Sequence, residues 1–264
     1  MTVPFRREAL VAILDDAAAI VRRARLSPEA VRLKGDGSPV TDLDRDVDLF
    51  LRDELTKLAP ESGWLSEESP DDGSRRTAPY AWIVDPIDGT KELIAGRDEI
   101  AISVALVRLG AVVAAAVVNP LRAERGVWLE GEDAIFEGLT RRPPATSLAQ
   151  ASVIVSRTES EGGDLRGLEG IFGAVREVGS VAYKLLRVAA GADDLTYSVR
   201  PKREWDVCGG VGLVRAAGGE VVRLDEVPLA FNRADTRIPG GHVAGPKPLV
   251  SVAKDALHAR LSRR

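Results

Sequence analysis

Apolar residues at Leu10, Val11, Leu14, Ala17, Ala18 and Val21 recur at the spacing of one helical face, which predicts a first helix from near Arg6 to near Arg25. Leu43, Val47, Phe50, Leu51, Leu55 and Leu58 repeat the pattern and predict a second. Thr41 precedes it as an N-cap, with Asp44 placed as the acid of a capping box. Lys34-Gly35-Asp36-Gly37-Ser38-Pro39, ahead of that cap, has the Gly and Pro content of a turn or loop. The continuous apolar run Tyr80–Val84 predicts a buried strand ending at Asp85-Pro86-Ile87-Asp88-Gly89-Thr90, which is turn chemistry, with a short helix from Thr90. Strands follow over Ile100–Leu109, Ala111–Val118 and Arg125–Leu129; Leu109-Gly110 is too short for a crossover, so these pair antiparallel. Arg142-Pro143-Pro144-Ala145-Thr146-Ser147 marks an internal boundary, dividing residues 1–143 from 144–264. Beyond it, strands at Ser152–Val155, Val175–Val178, Asp194–Tyr197 and Glu220–Leu224 mix with helices at Ser180–Ala190, Asp206–Ala217 and Leu249–Leu261. Grouped strands in the first half suggest α+β, and alternation in the second suggests an α/β layer.

Composition narrows the chemistry. At 264 residues, with 45% apolar and 29% charged residues, the chain has the makeup of a soluble globular protein with one large domain or two modest ones. A net charge of −4 and 5% aromatics argue against a broad basic face or a base-stacking platform, so polymeric nucleic acid is not an expected partner. One cysteine excludes a disulfide framework and a Cys-based zinc site. Two histidines, His242 and His258, leave little room for His-rich zinc chemistry or a Ser-His-Asp triad and read as surface or structural residues. The longest apolar run, Ala111–Val118, is far short of the roughly 18 residues of a membrane span. The N-terminus carries charges where a signal peptide needs apolar residues, so the expected setting is reduced and cytoplasmic. Carboxylate is the chemical resource that remains.

The informative segment is Trp82-Ile-Val-Asp85-Pro-Ile-Asp88-Gly-Thr90. A hydrophobic strand delivers Asp85, proline removes a backbone donor, and Asp88 follows closely enough for both carboxylates to touch one cation. Gly89 allows close backbone approach, and the N–H groups of Gly89 and Thr90 can point at an anion. Taken alone, Asp-Pro-x-Asp-Gly is an ordinary surface turn; the strand before it and the hydroxyl and helix start after it distinguish this one. Glu67, in Ser66-Glu67-Glu68-Ser69, follows Trp64-Leu65 and stands at a second candidate strand end. Asp206 in Trp205-Asp206-Val207 serves either as a helix N-cap or as an acid reaching in from the second half. The Asp42, Asp44, Asp46 series fails as an EF-hand loop, because Val47 stands where glycine is needed and Asp53 where glutamate is needed. No P-loop segment is present.

With Glu67, Asp85-Pro-Ile-Asp88-Gly-Thr90 and Trp205-Asp206 in this order, the sequence resembles the inositol monophosphatase superfamily from about Lys34 to Gly219. That resemblance implies a layered α/β/α/β/α sandwich in two subdomains with the site between them. It implies a Mg²⁺-dependent, lithium-sensitive phosphomonoesterase, with two or three ions held by Glu67, Asp85, the Ile87 carbonyl, Asp88 and Asp206. Thr90, oriented by Asp44, would position the attacking water, and homodimers are common in the family. Leu93, where an aromatic is usual, and Gly212, where a larger apolar residue is common, depart from the pattern as packing changes. Thr90-Lys91-Glu92, Ser38-Pro39-Val40-Thr41, Val155-Ser156-Arg157 and Gly179-Ser180-Val-Ala-Tyr-Lys184 look like the 3′(2′),5′-bisphosphate nucleotidase branch. A glutamate often found seven residues before the Trp-Asp aspartate of inositol phosphatases is Val199 here, in the basic loop Val-Arg200-Pro-Lys202-Arg203, which suits a second phosphate. The expected substrate contacts are thus Ser156, Arg157, Ser180, Lys184, Arg200 and Lys202; the alternative for Lys184 and for the loop cations is a solvated face. Adenosine 3′,5′-bisphosphate leads as substrate, ahead of inositol 1-phosphate and a sugar bisphosphate; a non-catalytic phosphate or nucleotide sensor is the alternative of another class.

Overall fold

The computed structural model describes residues 3–24, 31–33, 35, 39–168 and 170–262. Of the loop expected at Lys34–Pro39, Lys34 and residues 36–38 lie outside the described residues. In chain order the elements are α1 (Arg7–Arg23), β1 (Val31–Leu33), β2 (Pro39–Thr41), α2 (Asp42–Leu58), β3 (Ser62–Ser66), β4 (Tyr80–Asp88), α3 (Thr90–Ile94), β5 (Ala101–Arg108), β6 (Ala111–Asn119), β7 (Glu124–Leu129) and β8 (Ile135–Glu137). They continue with β9 (Ser152–Ser156), α4 (Arg157–Glu161), β10 (Ala174–Val178), α5 (Val181–Ala189), β11 (Leu195–Ser198), β12 (Lys202–Arg203), α6 (Glu204–Ala216), β13 (Glu220–Arg223), β14 (Arg237–Ile238), β15 (His242–Gly245) and α7 (Lys247–Leu261).

A six-stranded sheet runs β3-β4-β5-β6-β7-β8, antiparallel except for the β3–β4 pair, and a five-stranded sheet runs β10-β9-β11-β15-β13. Strand alternation divides the core. Trp82, Val84, Ile102, Val104 and Leu106 face one way and pack on α1 and α2. Ile83, Ala105, Val107, Ala115 and Val117 face the other way and pack with α5 and α6, which also meet Ile154 and Ala244 of the second sheet. Val153, Val155, Leu195, Tyr197 and Val243 bury the far face of that sheet against α7. The result is the α/β/α/β/α stacking that the resemblance implies.

Small residues set the distance in the middle layer. A β-carbon added at Gly212 would stand 2.6 Å from the Ala115 Cβ, so glycine is what lets α6 lie directly on β6. This explains the departure at Gly212. Cys208 lies fully buried in the same layer as a packing residue. On the opposite face, Trp82 is fully buried, donates its indole N–H to the Leu55 carbonyl at 2.9 Å and is stacked by Phe5.

Some elements differ from the sequence expectation. β4 continues through Asp85–Asp88, because a bulge between those two residues absorbs Pro86 without ending the pairing to β5. α6 begins at Glu204, so Asp206 is not the N-cap; it is the third residue of the helix, and its carboxylate accepts the Arg203 N–H at 2.7 Å. β15, an interior strand of the second sheet, was not expected, since four residues bounded by glycines carry no readable alternation. Its His242 is buried, which drives the imidazole pKa down to about 3, while the His258 ring bonds the Leu224 carbonyl. Among the described residues no helix is long and apolar enough to cross a membrane.

Candidate active site

Period-two alternation puts Asp85 on the same face of β4 as Ile83, toward α6, and leaves it 1% exposed at the point where the strand bulges. One of its oxygens accepts the Ile87 N–H at 3.1 Å. Gly89 then takes φ +102°, and a β-carbon there would stand 3.1 Å from the Glu99 carbonyl, so the chain can turn into α3 here only as glycine. Thr90, the first residue of α3, places its hydroxyl 2.8 Å from Asp44 Oδ1 and 3.1 Å from the Ile87 carbonyl. Asp44 is itself fixed from α2: its other oxygen accepts the Thr41 N–H at 2.8 Å and the Thr41 hydroxyl at 2.5 Å, completing the capping box read from the sequence.

Glu67 leaves β3 with its N–H donating to the Val84 carbonyl at 3.3 Å. The loop that carries it is pinned to α2 by Asp48, which accepts the hydroxyls of Ser66 and Ser69. Carboxylate oxygens of Glu67, Asp85 and Asp206 lie within 4.8 Å of one another, although the three come from the loop after β3, from β4 and from α6. Asp88 borders the same space but turns toward α5, accepting the Ser180 hydroxyl at 2.8 Å and the Ala182 N–H at 2.6 Å. Ser180 holds φ +53° to do this and also caps α5.

Like charges dominate here. Burial, followed by Glu67, Asp88, Asp206 and Asp44, pushes the Asp85 carboxyl well above the usual carboxylate range. Asp206 is pushed up to about 7 by burial, Asp88 and Glu67, against the Arg203 N–H. Burial also raises Asp88, while the Ala182 N–H, the Ser180 hydroxyl and Lys184 pull it back. A crowded all-oxygen donor set whose members repel one another fits a hard divalent cation.

Glu67, Asp88 and Asp206, with buried Asp85 beside them, floor a cleft of about 310 Å³ whose wall includes Arg157, Glu159, Arg200 and Lys202. Each of these cations has a carboxylate partner. Arg157 donates to Glu92 and Glu99, both at 2.7 Å. Lys202 meets Glu159 at 2.9 Å, and half-exposed Arg200 meets Asp164. Ser156 caps α4 by accepting the Glu159 N–H at 3.3 Å. Lys184 is buried rather than solvated; its ammonium donates to the Ser180 carbonyl at 2.8 Å and the Val178 carbonyl at 3.1 Å, and burial lowers its pKa to about 8.

Sequence reasoning missed Glu99 and Glu159, and named Glu92 without seeing its pairing with Arg157. Glu159 is 1% exposed and accepts the Ser198 hydroxyl at 2.5 Å and the Val199 N–H at 2.9 Å. Its Ser156-x-x-Glu159 spacing was the available signal, since that is a capping-box pattern. The carboxylate instead serves the loop in which Val199 stands.

The model of the inositol monophosphatase family matches residues 5–260. The chain belongs to the inositol monophosphatase family. It is 35% identical over 201 residues to a Rhizobium meliloti protein named inositol-1-monophosphatase, spanning 72% of this chain and 73% of the relative. It is 31% identical over 229 residues to the 3′(2′),5′-bisphosphate nucleotidase CysQ of Shigella flexneri, covering 82% of this chain and 89% of the relative. The crystal structure of the extragenic suppressor protein suhB from Bartonella henselae superposes with a TM-score of 0.80 at 27% identity, over 95% of this chain and 97% of that one. Membership makes the chain a phosphatase of small phosphate esters, in a family whose enzymes are metal-dependent, and the acid cluster is present to match.

Proposed function

We propose that this inositol monophosphatase family phosphatase removes the 3′-phosphate from adenosine 3′,5′-bisphosphate or a close relative, with Mg²⁺ as the cofactor. Glu67, Asp85, the Ile87 carbonyl, Asp88 and Asp206 would hold two or three ions. When bound, the metal supplies the positive charge that acidifies water toward neutral pH and offsets charge on the phosphoryl and leaving oxygens. Thr90 gives its one proton to Asp44, so its lone pairs are free to accept a hydrogen bond from the attacking water. Asp44, fixed by Thr41, keeps that hydroxyl from rotating away. The amides of Gly89 and Thr90 take the phosphoryl oxygens. Arg157, Arg200 and Lys202 serve the second anion, and Ser180 and Lys184 hold the α5 start against Asp88. Cys208, a buried thiol with no second cysteine in the chain, suits a reducing cytoplasmic setting.

The observation that carries this substrate choice is the polarity of the cleft, with carboxylates at its floor and Arg157, Arg200 and Lys202 along one wall. An ester with one phosphate needs the floor alone; a bisphosphate also uses the wall. Inositol 1-phosphate is the second reading, favoured by the existing pairing of Lys202 with Glu159 and of Arg200 with Asp164, which leaves the wall nearly neutral. Phosphate release from both esters, measured side by side with and without Mg²⁺, decides. Faster Mg²⁺-dependent release from the bisphosphate is expected, with inhibition by lithium. Faster release from inositol 1-phosphate overturns the choice, equal rates indicate a broad phosphatase, and no release from either indicates a phosphate sensor.

A further inference from the structure

The acids of the floor come from segments far apart in the chain. Glu67 follows β3, and Asp206 lies in the first turn of α6. A buried polar cluster outside the cleft ties these two segments together. Arg75 has no exposed surface and sits in a single 3₁₀ turn, Ser74–Arg76, eight residues beyond Glu67 in the same connection. Its backbone is pressed onto β3, where a β-carbon added at Gly63 would stand 2.2 Å from the Arg75 Cα.

The Arg75 guanidinium donates to both oxygens of Asp71, at 3.1 and 2.8 Å, to Asn232 Oδ1 at 2.6 Å and to the Arg233 carbonyl at 2.8 Å. Asn232 returns a bond from its side-chain amide to the Arg75 carbonyl at 3.1 Å. The backbone N–H groups of Asn232 and Arg233 donate to the two carboxylate oxygens of Glu204 at 2.6 and 2.9 Å. Glu204 is fully buried, opens α6 and stands two residues before Asp206. An unbroken run of hydrogen bonds therefore leads from the Glu67 connection, through Asn232, to the helix that carries Asp206. A buried guanidinium held by four hydrogen bonds resists displacement, because each bond lost leaves a buried charged donor without a partner.

We propose that Arg75, Asn232 and Glu204 form a clasp that sets the spacing of Glu67 and Asp206, an inference that rests on the cation-holding role given to those acids above. Arg75 and Asn232 are thereby positioning residues for a site they do not line. Mg²⁺ requires near-ideal octahedral geometry, so a small drift between ligand-bearing segments costs affinity without unfolding the protein.

Asn232→Gly isolates the effect. Asn232 holds φ +60°, which glycine accepts without strain, and the N–H to Glu204 is retained; only the two side-chain links to Arg75 are lost. Mg²⁺ alone is titrated by calorimetry into the parent protein, Asn232→Gly, Asn232→Asp, Arg75→Lys and the double variant Asn232→Gly/Arg75→Lys. Asn232→Gly should bind roughly tenfold more weakly than the parent with its far-UV spectrum unchanged. Asn232→Asp, which still accepts from Arg75, should lose no more than about threefold. Arg75→Lys, lacking the planar fork, should match Asn232→Gly in the parent and add little to it in the double variant. At saturating Mg²⁺ the KM for substrate should be unchanged in all three.

A folded Asn232→Gly protein with parental Mg²⁺ affinity overturns the clasp, as does full additivity of the two substitutions. If Asn232→Gly does not fold, Arg75→Lys carries the same test alone. A parent protein that binds no Mg²⁺ overturns the cation site, and the clasp with it, which separates the two failures.

Discussion

The two sides of the cleft manage charge in opposite ways. At the floor, Glu67, Asp85 and Asp206 converge; among the described residues no arginine or lysine side chain hydrogen-bonds Asp85 or Asp206, and burial together with repulsion between the acids raises both of these carboxyls. On the wall, Arg157, Arg200 and Lys202 are each matched by a carboxylate supplied by the fold. Under the proposed function, a cation from solution completes the floor. The wall is complete as folded, and an anion arriving there must compete with Glu159 and Asp164. Strong dependence on metal and modest dependence on the second anion follow from that difference.

The largest expected effect lies on the floor. Asp85→Asn keeps the shape and removes the charge shared by every other acid there; Mg²⁺-dependent turnover should fall about 10³-fold, equivalent to about 4 kcal/mol. Turnover within tenfold of the parent would make Asp85 dispensable. Thr90→Ala comes next and should lower kcat about 10²-fold through loss of water alignment, while Thr90→Ser restores most of it. Equal defects in the alanine and serine variants would point to packing instead of the hydroxyl.

A third test uses pH. The Asp206 carboxyl is raised to about 7 in the folded protein from an ordinary value of 3.8. The folded state thus holds a proton that the unfolded state has lost, so this group's contribution to the stability of the metal-free protein declines as pH rises between those values. Added Mg²⁺ removes the penalty, so the rise in Tm on adding it should be larger at pH 8 than at pH 5, as read by calorimetric melting. An equal rise at both pH values would separate Asp206 from the metal.

The smallest effect belongs to the wall. Arg200 is half-exposed and paired with Asp164, so Arg200→Ala should raise KM for adenosine 3′,5′-bisphosphate by less than about tenfold and leave inositol 1-phosphate unchanged. A matching change for both esters would remove Arg200 from second-anion binding.

Legibility in the sequence followed the same division. α1, α2, the β5–β7 meander and α5 were readable because one-sided burial imposes a period on the chain, and the Thr41/Asp44 capping box was readable because it is local. Asp85 and Asp88 were readable as a motif because short-range chemistry (a strand end, a proline bulge, a glycine at φ +102°) delivers them. The partners of the wall cations were not. Glu159 reaches Lys202 across 43 residues, and Arg157 reaches Glu92 across 65 and Glu99 across 58. Lys184 was readable only as a substrate contact or a solvated helix residue, because its acceptors are carbonyls of the turn before α5 and side-chain identity says nothing about carbonyl direction. The early start of α6 was hidden for a related reason. Its first residue, Glu204, is held by backbone amides of residues 232 and 233, far along the chain.

The most direct test of the cation-dependent floor is calorimetric titration of Mg²⁺ into the metal-stripped parent protein and into Asp85→Asn. The parent should bind saturably at millimolar or lower concentrations, and the variant should bind at least about tenfold more weakly. Absence of binding by the parent, or equal binding by both proteins, would contradict it.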